Sequence, residues 1–389
     1  MADIRALAAA MEGELPSILA LAERSVNIDS GTYCTEGVQA VIGLWAGMLG
    51  GMGFAVERVP LAGRGDRLTA RLPLGGNGKR LLVLGHADTV WPAGTVTEWP
   101  FRRDGDRLTG PGVGDMKTNV VMALHALRLL VRQRSLSALA GITVCIVPDE
   151  EIGSPGSRDW LEAEARQADL CLTLEPCRPG GGMVVGRGAI GAVYLRAEGV
   201  TAHCGSAREK GASAVAALAA LVAPLEALGD PAAGLSATVG IFRGGAARQV
   251  VPGEAEIHLD LRAPDDAGAE ALLSEVRSIV GRPPADERVR VSMGGGFTRP
   301  AFPTGDGTRR LYAAAEGMCA ELGIPVHAVV SRGGSDGSFA ARLGVPTIDG
   351  LGPITHETCS RREWVEVPSI AQRGAVFAGL VLAAAEGRA

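Results

Sequence analysis

Three consecutive carboxylates, Asp149, Glu150 and Glu151, follow directly on the apolar run GITVCIVP, residues 141–148. On a solvated loop, water screens such a cluster. At the mouth of a core strand the repulsion calls for a cation, either a side chain or a metal. The rest of the sequence holds groups that could share a metal. His86 and Asp88 stand at i and i+2 in LGHADTV, on one side of a strand, and a metal-binding imidazole usually gives its other N–H to a carboxylate. Asp115 lies in the glycine loop GPGVGDMKTN just ahead of a helix, where Asp also serves as an N-cap. A dinucleotide fingerprint fails there, because after Gly110 and Gly112 the third glycine would fall at 115. Glu175 closes LTLEP, and His356 sits in GPITHET. Singly, each reads as a cap, a structural pair or a surface group. Together, His, Asp, Glu-Glu, Glu and His at successive strand-end loops make a mixed nitrogen and oxygen donor set suited to two zinc-like ions.

These residues need a frame that brings strand ends together. From residue 80 the chain alternates RLLVLGHADTV, DMKTNVVMALHALRLLVRQR, AGITVCIVPDE, SRDWLEAEAR and ADLCLTLEP, strand with helix. That spacing predicts an α/β fold with a mostly parallel sheet and helices on both faces, and ligands of such sheets sit at the carboxyl ends of the strands. A glycine-rich hinge around 179–190 breaks the alternation. Strand 190–198, helix 211–228, strands 235–243 and 253–263, helix 266–281 and strand 287–293 then give a βαββαβ order, the order of a ferredoxin-like unit. The expected division is a catalytic domain in two parts, 1–186 and 298–389, interrupted by a lid or dimerisation domain at 187–297. No internal repeat is evident.

Composition sets outer bounds. The chain has 389 residues, 47% hydrophobic and 21% charged, with a net charge of −5, the signs being interspersed. A folded protein acting on small molecules fits this, without a nucleic-acid or anionic-membrane partner. The N-terminal segment reads as an amphipathic helix, with Asp3, Glu12 and Glu14 where a signal peptide would be basic or apolar. No apolar run is expected to reach a membrane span, so the expected location is the cytoplasm. The seven cysteines are odd in number, scattered and without a CxxC pair, which points away from a disulfide frame or a thiolate zinc site.

The strings GHADTVWP, GPGVGDMK, DEEIGSPGSRDWL, GVTAHCGSAREKGASAV, RPAFPTGDG, GGSDGSFAA and GPITHE run in order through nearly the whole chain. They resemble the co-catalytic zinc aminoacylase and carboxypeptidase family, most of all its bacterial folate-cleaving glutamate carboxypeptidase branch. The resemblance implies two Zn²⁺ per subunit, with Co²⁺ or Mn²⁺ as substitutes. His86 and Glu175 would hold one ion, Glu151 and His356 the other, and Asp115 would bridge them. Asp88 would support His86, and Glu150 would be the general base. Adjacent residues of an extended turn point opposite ways, so Glu151 could face a metal and Glu150 a water. The resemblance also implies a cis peptide bond after Asp115, and it assigns Asp149 no catalytic part.

In the same family a histidine at the place of His203 reaches across a homodimer to the substrate carbonyl or its oxyanion, and Arg299 matches the position that grips the substrate's terminal carboxylate. Arg262, Gly333 and Gly334 are further substrate candidates, although Arg262 could simply pair with Asp260 and the glycines could serve a turn. The family's N-x-x-P motif reads QVVP here, with Gln249 in place of Asn, which alters the reach to substrate. The implied activity is hydrolysis of the amide bond of a C-terminal amino acid, of glutamate type, in a short peptide or small amide. The alternative is an N-acyl amino acid deacylase or desuccinylase. A catalytically silent binding protein would have lost the base or a ligand, and a nucleotide-dependent oxidoreductase lacks its third glycine.

Overall fold

The apolar runs that precede the acidic loops lie side by side in one sheet. In the computed structural model, which describes residues 3–133 and 135–388, strand Arg80–His86 runs parallel to both Gly141–Val147 and Leu170–Thr173. Thr347–Ile348 adds a further parallel pairing on Leu170–Thr173. The other edge is antiparallel: Gly65–Pro73 pairs with Gly141–Val147, and Ala55–Leu61 pairs with Gly65–Pro73. The six-stranded sheet is therefore mixed. The hairpin edge lies upstream of residue 80, where the sequence reading placed no strand.

Side-chain alternation explains the layers. Leu81, Val83, Ile142, Val144, Leu170 and Leu172 pack into one core with helices Ile4–Val26, Thr35–Gly51, Thr118–Arg132, Asp306–Leu322 and Val367–Ala385. Leu82, Leu84, Cys145, Val147 and Cys171 point the other way, onto helices Arg158–Ala165 and Gly337–Arg342. Strands covered on both faces read as continuous apolar runs, which is why they were visible in the sequence. Helix Val367–Ala385 corrects one expectation. Its 19 residues are long and apolar enough to cross a membrane, yet 89% of its most apolar window is buried in the protein. It packs against Ile4–Val26 and Thr118–Arg132 as a core helix.

The chain separates into two compact units, Met1–Gly186 with Pro303–Val330 and Ser335–Ala389, and Arg187–Phe302 with Ser331–Gly334. The second unit holds an antiparallel sheet in the order Ser236–Gly244, Glu254–Ala263, Ala189–Glu198, Arg290–Arg299. Helices Ala214–Glu226 and Asp266–Val280 pack on it through Val193, Leu195, Ile257, Leu259, Leu218 and Leu272. Its last strand runs past the expected end at 293, because pairing with Ala189–Glu198 continues through a bulge to Arg299. Phe302 then bridges back to Arg187. This pairing shifts the boundary from 297 to Phe302 and brings Arg299 into the second unit, to which Gly333 and Gly334 also belong.

Candidate metal centre

Parallel pairing places the acidic groups. His86 ends its strand, Glu150 and Glu151 follow Gly141–Val147, and Glu175 follows Leu170–Thr173, so all four gather at the carboxyl edge of the sheet. Asp115 comes from the turn Val113–Lys117 that heads the helix Thr118–Arg132; Asp115 and Met116 have non-helical backbone angles there, and the peptide bond between them is cis. Glycine is required in this turn: a Cβ on Gly114 would lie 2.2 Å from Thr355 Cγ2. His86, Asp115 and Glu151 each offer a ligand atom within 4.8 Å of the others, and so do His86, Glu150 and Glu175.

His86 Nδ1 donates to the Asp88 carbonyl at 3.0 Å, and Nε2 lies 3.1 Å from Asp115 Oδ1. Burial opposes protonation of the ring, but hydrogen bonds to Asp115 and Asp88 and the charge of Glu150 raise its pKa well above the usual value. For Asp115, burial is outweighed by its hydrogen bond to His86, and the carboxyl is held low. Burial, then repulsion from Asp115, pushes the carboxyls of Glu151 and Glu175 well up. Lys117 does not relieve them, since its Nζ donates to the Ile28 carbonyl at 2.8 Å. One imidazole cannot balance four crowded carboxyl groups, and a divalent ion supplies the missing positive charge. The residues present fit a pair of such ions.

Asp88 does more than orient His86. Its carboxylate is 3.5 Å from Nδ1, and it accepts Glu150 N and Glu151 N, both at 3.1 Å, and Thr32 Oγ1 at 2.7 Å. It thus holds the turn that carries both glutamates. That turn, Glu150–Ile152, is a 3-10 helix rather than an extended segment. Successive side chains diverge by about 120° there, which still sends Glu150 and Glu151 into different ligand groups. Asp149 is fully buried and accepts from Gly156 N and Ser157 Oγ.

His356 belongs to neither ligand group. Its ring stacks on Trp364 with centroids 4.0 Å apart, and Nε2 meets Glu366 Oε1 at 2.7 Å. Sequence reasoning missed three neighbours: Glu366; Cys359, whose Sγ is 3.6 Å from Asp115 Oδ2; and Glu363, which accepts from the Gly114 and Asp115 amides. Burial, then repulsion from Asp115, moves the Glu363 carboxyl up to about 8. Their only sequence signal is the run HETCSRREWVE, residues 356–366, which reads as a charged loop. Beside Glu151 opens a cavity of about 630 Å³ lined by Tyr33, Cys34, Val90, Trp91, Pro92 and Ile152 among others, with Glu151 its one charged lining residue among those described.

The second unit carries the remaining candidates. His203 is exposed, and its Nδ1 accepts from Gly205 N at 3.1 Å and Ser206 N at 3.2 Å, which turns Nε2 away from the loop. Gln249 is exposed, and its carbonyl accepts from Cys204 N. Arg299 is buried, and a Cβ on Gly334 would lie 2.8 Å from its Cδ, so glycine is what lets that arginine pass. The Gly333 carbonyl accepts from Arg187 Nη1 at 2.9 Å. Arg262 grips Asp260 through Nε and Nη2 at 2.7 and 2.8 Å, the pairing left open by the sequence, so its fork is already taken.

Residues 82–383 match the model of peptidase family M20/M25/M40. The chain belongs to this family. The M20 chain is 32% identical over 378 residues to carboxypeptidase G2 of Pseudomonas sp. strain RS-16, covering 95% of this chain and 89% of that one. It is 29% identical over 392 residues to succinyl-diaminopimelate desuccinylase of Cupriavidus pinatubonensis, covering 94% and 99%. Among solved structures, the M20 family metallo-carboxypeptidase Sso-CP2 of Sulfolobus solfataricus superposes with a TM-score of 0.75 at 16% identity, covering 95% of this chain and 99% of that chain, a likeness of fold. The protein is thus an M20 metallohydrolase, an enzyme of the peptidase and amidohydrolase class.

Proposed function

We propose that this M20 enzyme uses two zinc ions to cleave the amide bond of a C-terminal amino acid, as a glutamate-type carboxypeptidase working in the cytoplasm. The observation that carries the reading is the convergence of His86, Asp115, Glu150, Glu151 and Glu175 into two overlapping ligand groups. In the proposed assignment Asp115 bridges, His86 and Glu175 serve one ion, and Glu151 serves the other with His356. Bound zinc lowers the pKa of a water and polarises the scissile carbonyl.

The protein's own groups do the rest. Glu150 takes a proton from the attacking water and passes it to the leaving amine. Asp88 keeps Glu150 and Glu151 aimed by holding their amides. Arg299 binds the terminal carboxylate of the substrate through its planar fork. His203 donates to the developing oxyanion in a neighbouring subunit's site, which makes activity depend on a homodimer formed through residues 187–297. Support for the dimer comes from the edge strand Ser236–Gly244 and the exposed Phe242 and Tyr194. The strand order of this unit fits a ferredoxin-like lid.

The alternative is an N-acyl amino acid deacylase or desuccinylase. The cavity beside Glu151 favours an uncharged, apolar acyl group over a succinyl carboxylate, because among the described residues its lining is mostly apolar and its one charged member is the carboxylate of Glu151. Two experiments test the proposal. Glu150→Gln should keep its metal and lose at least about 10²-fold in kcat; a metal-loaded variant with full activity removes the assigned base. Steady-state rates on benzoyl-, acetyl- and succinyl-glutamate should rank benzoyl first and succinyl last, and succinyl ranking first would transfer the protein to the alternative.

A further inference from the structure

Glu363 is 1% exposed, and three backbone N–H groups from two separate segments occupy its carboxylate. Oε1 accepts from Gly114 N at 2.8 Å and Asp115 N at 3.3 Å, and Oε2 accepts from Cys359 N at 3.1 Å. The first two donors belong to the turn that presents Asp115. The third belongs to the loop that leaves His356. That loop is not a conformation the chain adopts readily, because Glu357 and Cys359 have φ of 54° and 59°, a region L-residues avoid. A tie from outside the turn is needed to hold it. The same two segments also touch through Gly114 and Thr355, and through Cys359 Sγ and Asp115 Oδ2 at 3.6 Å.

Burying a carboxylate close to another carboxylate is costly, and a neutral side chain could fill the space. What a carboxylate adds is the ability to accept from amides on both of its oxygens at once, which neither an apolar residue nor an amide can do in the same pose. We infer that Glu363 is a positioning residue: it locks the Asp115 turn to the His356 loop and so sets the affinity for the ion those two residues share. The inference rests on the two-ion reading above. Glu363 contacts no ligand side chain in the hydrogen bonds described, so its effect travels through the backbone of Asp115 and of the loop.

Glu363→Gln isolates this role. Its amide oxygen can still serve Gly114 and Asp115, but its NH₂ then faces the Cys359 N–H, and the loop comes loose. The experiment is an equilibrium competition of Zn²⁺ between full-length protein and a chelator, read as ions bound per chain, with kcat and KM measured at each free-metal level. Wild type should bind two ions. Glu363→Gln should keep one at wild-type affinity and bind the other about 10–100-fold more weakly, and excess Zn²⁺ should restore kcat with KM unchanged. Two ions bound at wild-type affinity in a folded Glu363→Gln would overturn the inference alone. If circular dichroism shows that variant unfolded, Glu363→Asp, which keeps the carboxyl group but is one methylene short, is titrated instead: weakening of one ion supports the inference, and two unchanged sites overturn it. A wild-type protein that takes up no divalent ion overturns the two-ion reading and this inference with it.

Discussion

Replacing Asp88 by Asn tests how the two glutamates are aimed. The side chain is fully buried and accepts three hydrogen bonds, from Glu150 N, Glu151 N and Thr32 Oγ1. Asparagine has the same shape but only one acceptor oxygen. Placed where Oδ2 stands, that oxygen keeps Thr32 and Glu151, but the bonds are no longer charge-assisted, a loss of about 1 kcal/mol each. The NH₂ then points at the Glu150 amide, and a buried donor without an acceptor costs about 1–3 kcal/mol. The sum is about 3–5 kcal/mol. All five tryptophans, Trp45, Trp91, Trp99, Trp160 and Trp364, lie in the first unit, so urea unfolding of chelator-treated protein followed by tryptophan fluorescence reads this unit alone. The loosened turn should also lower kcat/KM by about 10²-fold, the usual result of misplacing catalytic groups by about 1 Å. A variant less than about 1 kcal/mol weaker, with kcat/KM intact, would refute the reasoning.

Two further outcomes follow from other parts of the fold. Glu14 accepts from His125 Nδ1 at 2.8 Å and from Arg128, and although burial acts to raise its pKa these bonds hold it below the ordinary 4.5. Its folded pKa is depressed, so its contribution is full above the unfolded pKa and is lost as pH falls through the lowered value. Glu14→Gln should therefore cost about 2 kcal/mol near neutrality and flatten the acid limb of the melting curve below 4.5, and an unchanged acid limb would contradict the assignment. Gly334→Ala places a Cβ 2.8 Å from Arg299 Cδ, so Arg299 must move; KM should rise about tenfold with kcat largely kept, as expected when binding alone is weakened, and an unchanged KM would remove Arg299 from the substrate clamp.

The sequence showed the first unit's site wherever a strand announced it. Leu81–Leu84 and Val144–Val147 are apolar because both faces of the sheet are covered, and His86, Glu150 and Glu175 follow such runs, so position and chemistry coincide in one string. Glu363 and Glu366 carry no such mark. They sit in a charged loop, and their contacts to Gly114, Asp115 and His356 join segments distant in sequence. Asp88 illustrates a partial reading: its proximity to His86 was visible at i and i+2, but its grip on the Glu150–Glu151 turn depends on parallel pairing of strands far apart in the chain. The end of the second unit was misjudged because Gly294, Gly295 and Gly296 look like a break, whereas that strand pairs on to Arg299 through the glycines and a bulge.

The proposed two-ion chemistry stands or falls on metal. Elemental analysis of freshly purified, active protein should find two zinc ions per chain, removable by a strong chelator with loss of activity and restorable by Zn²⁺. Full activity in protein that contains no divalent ion would contradict it.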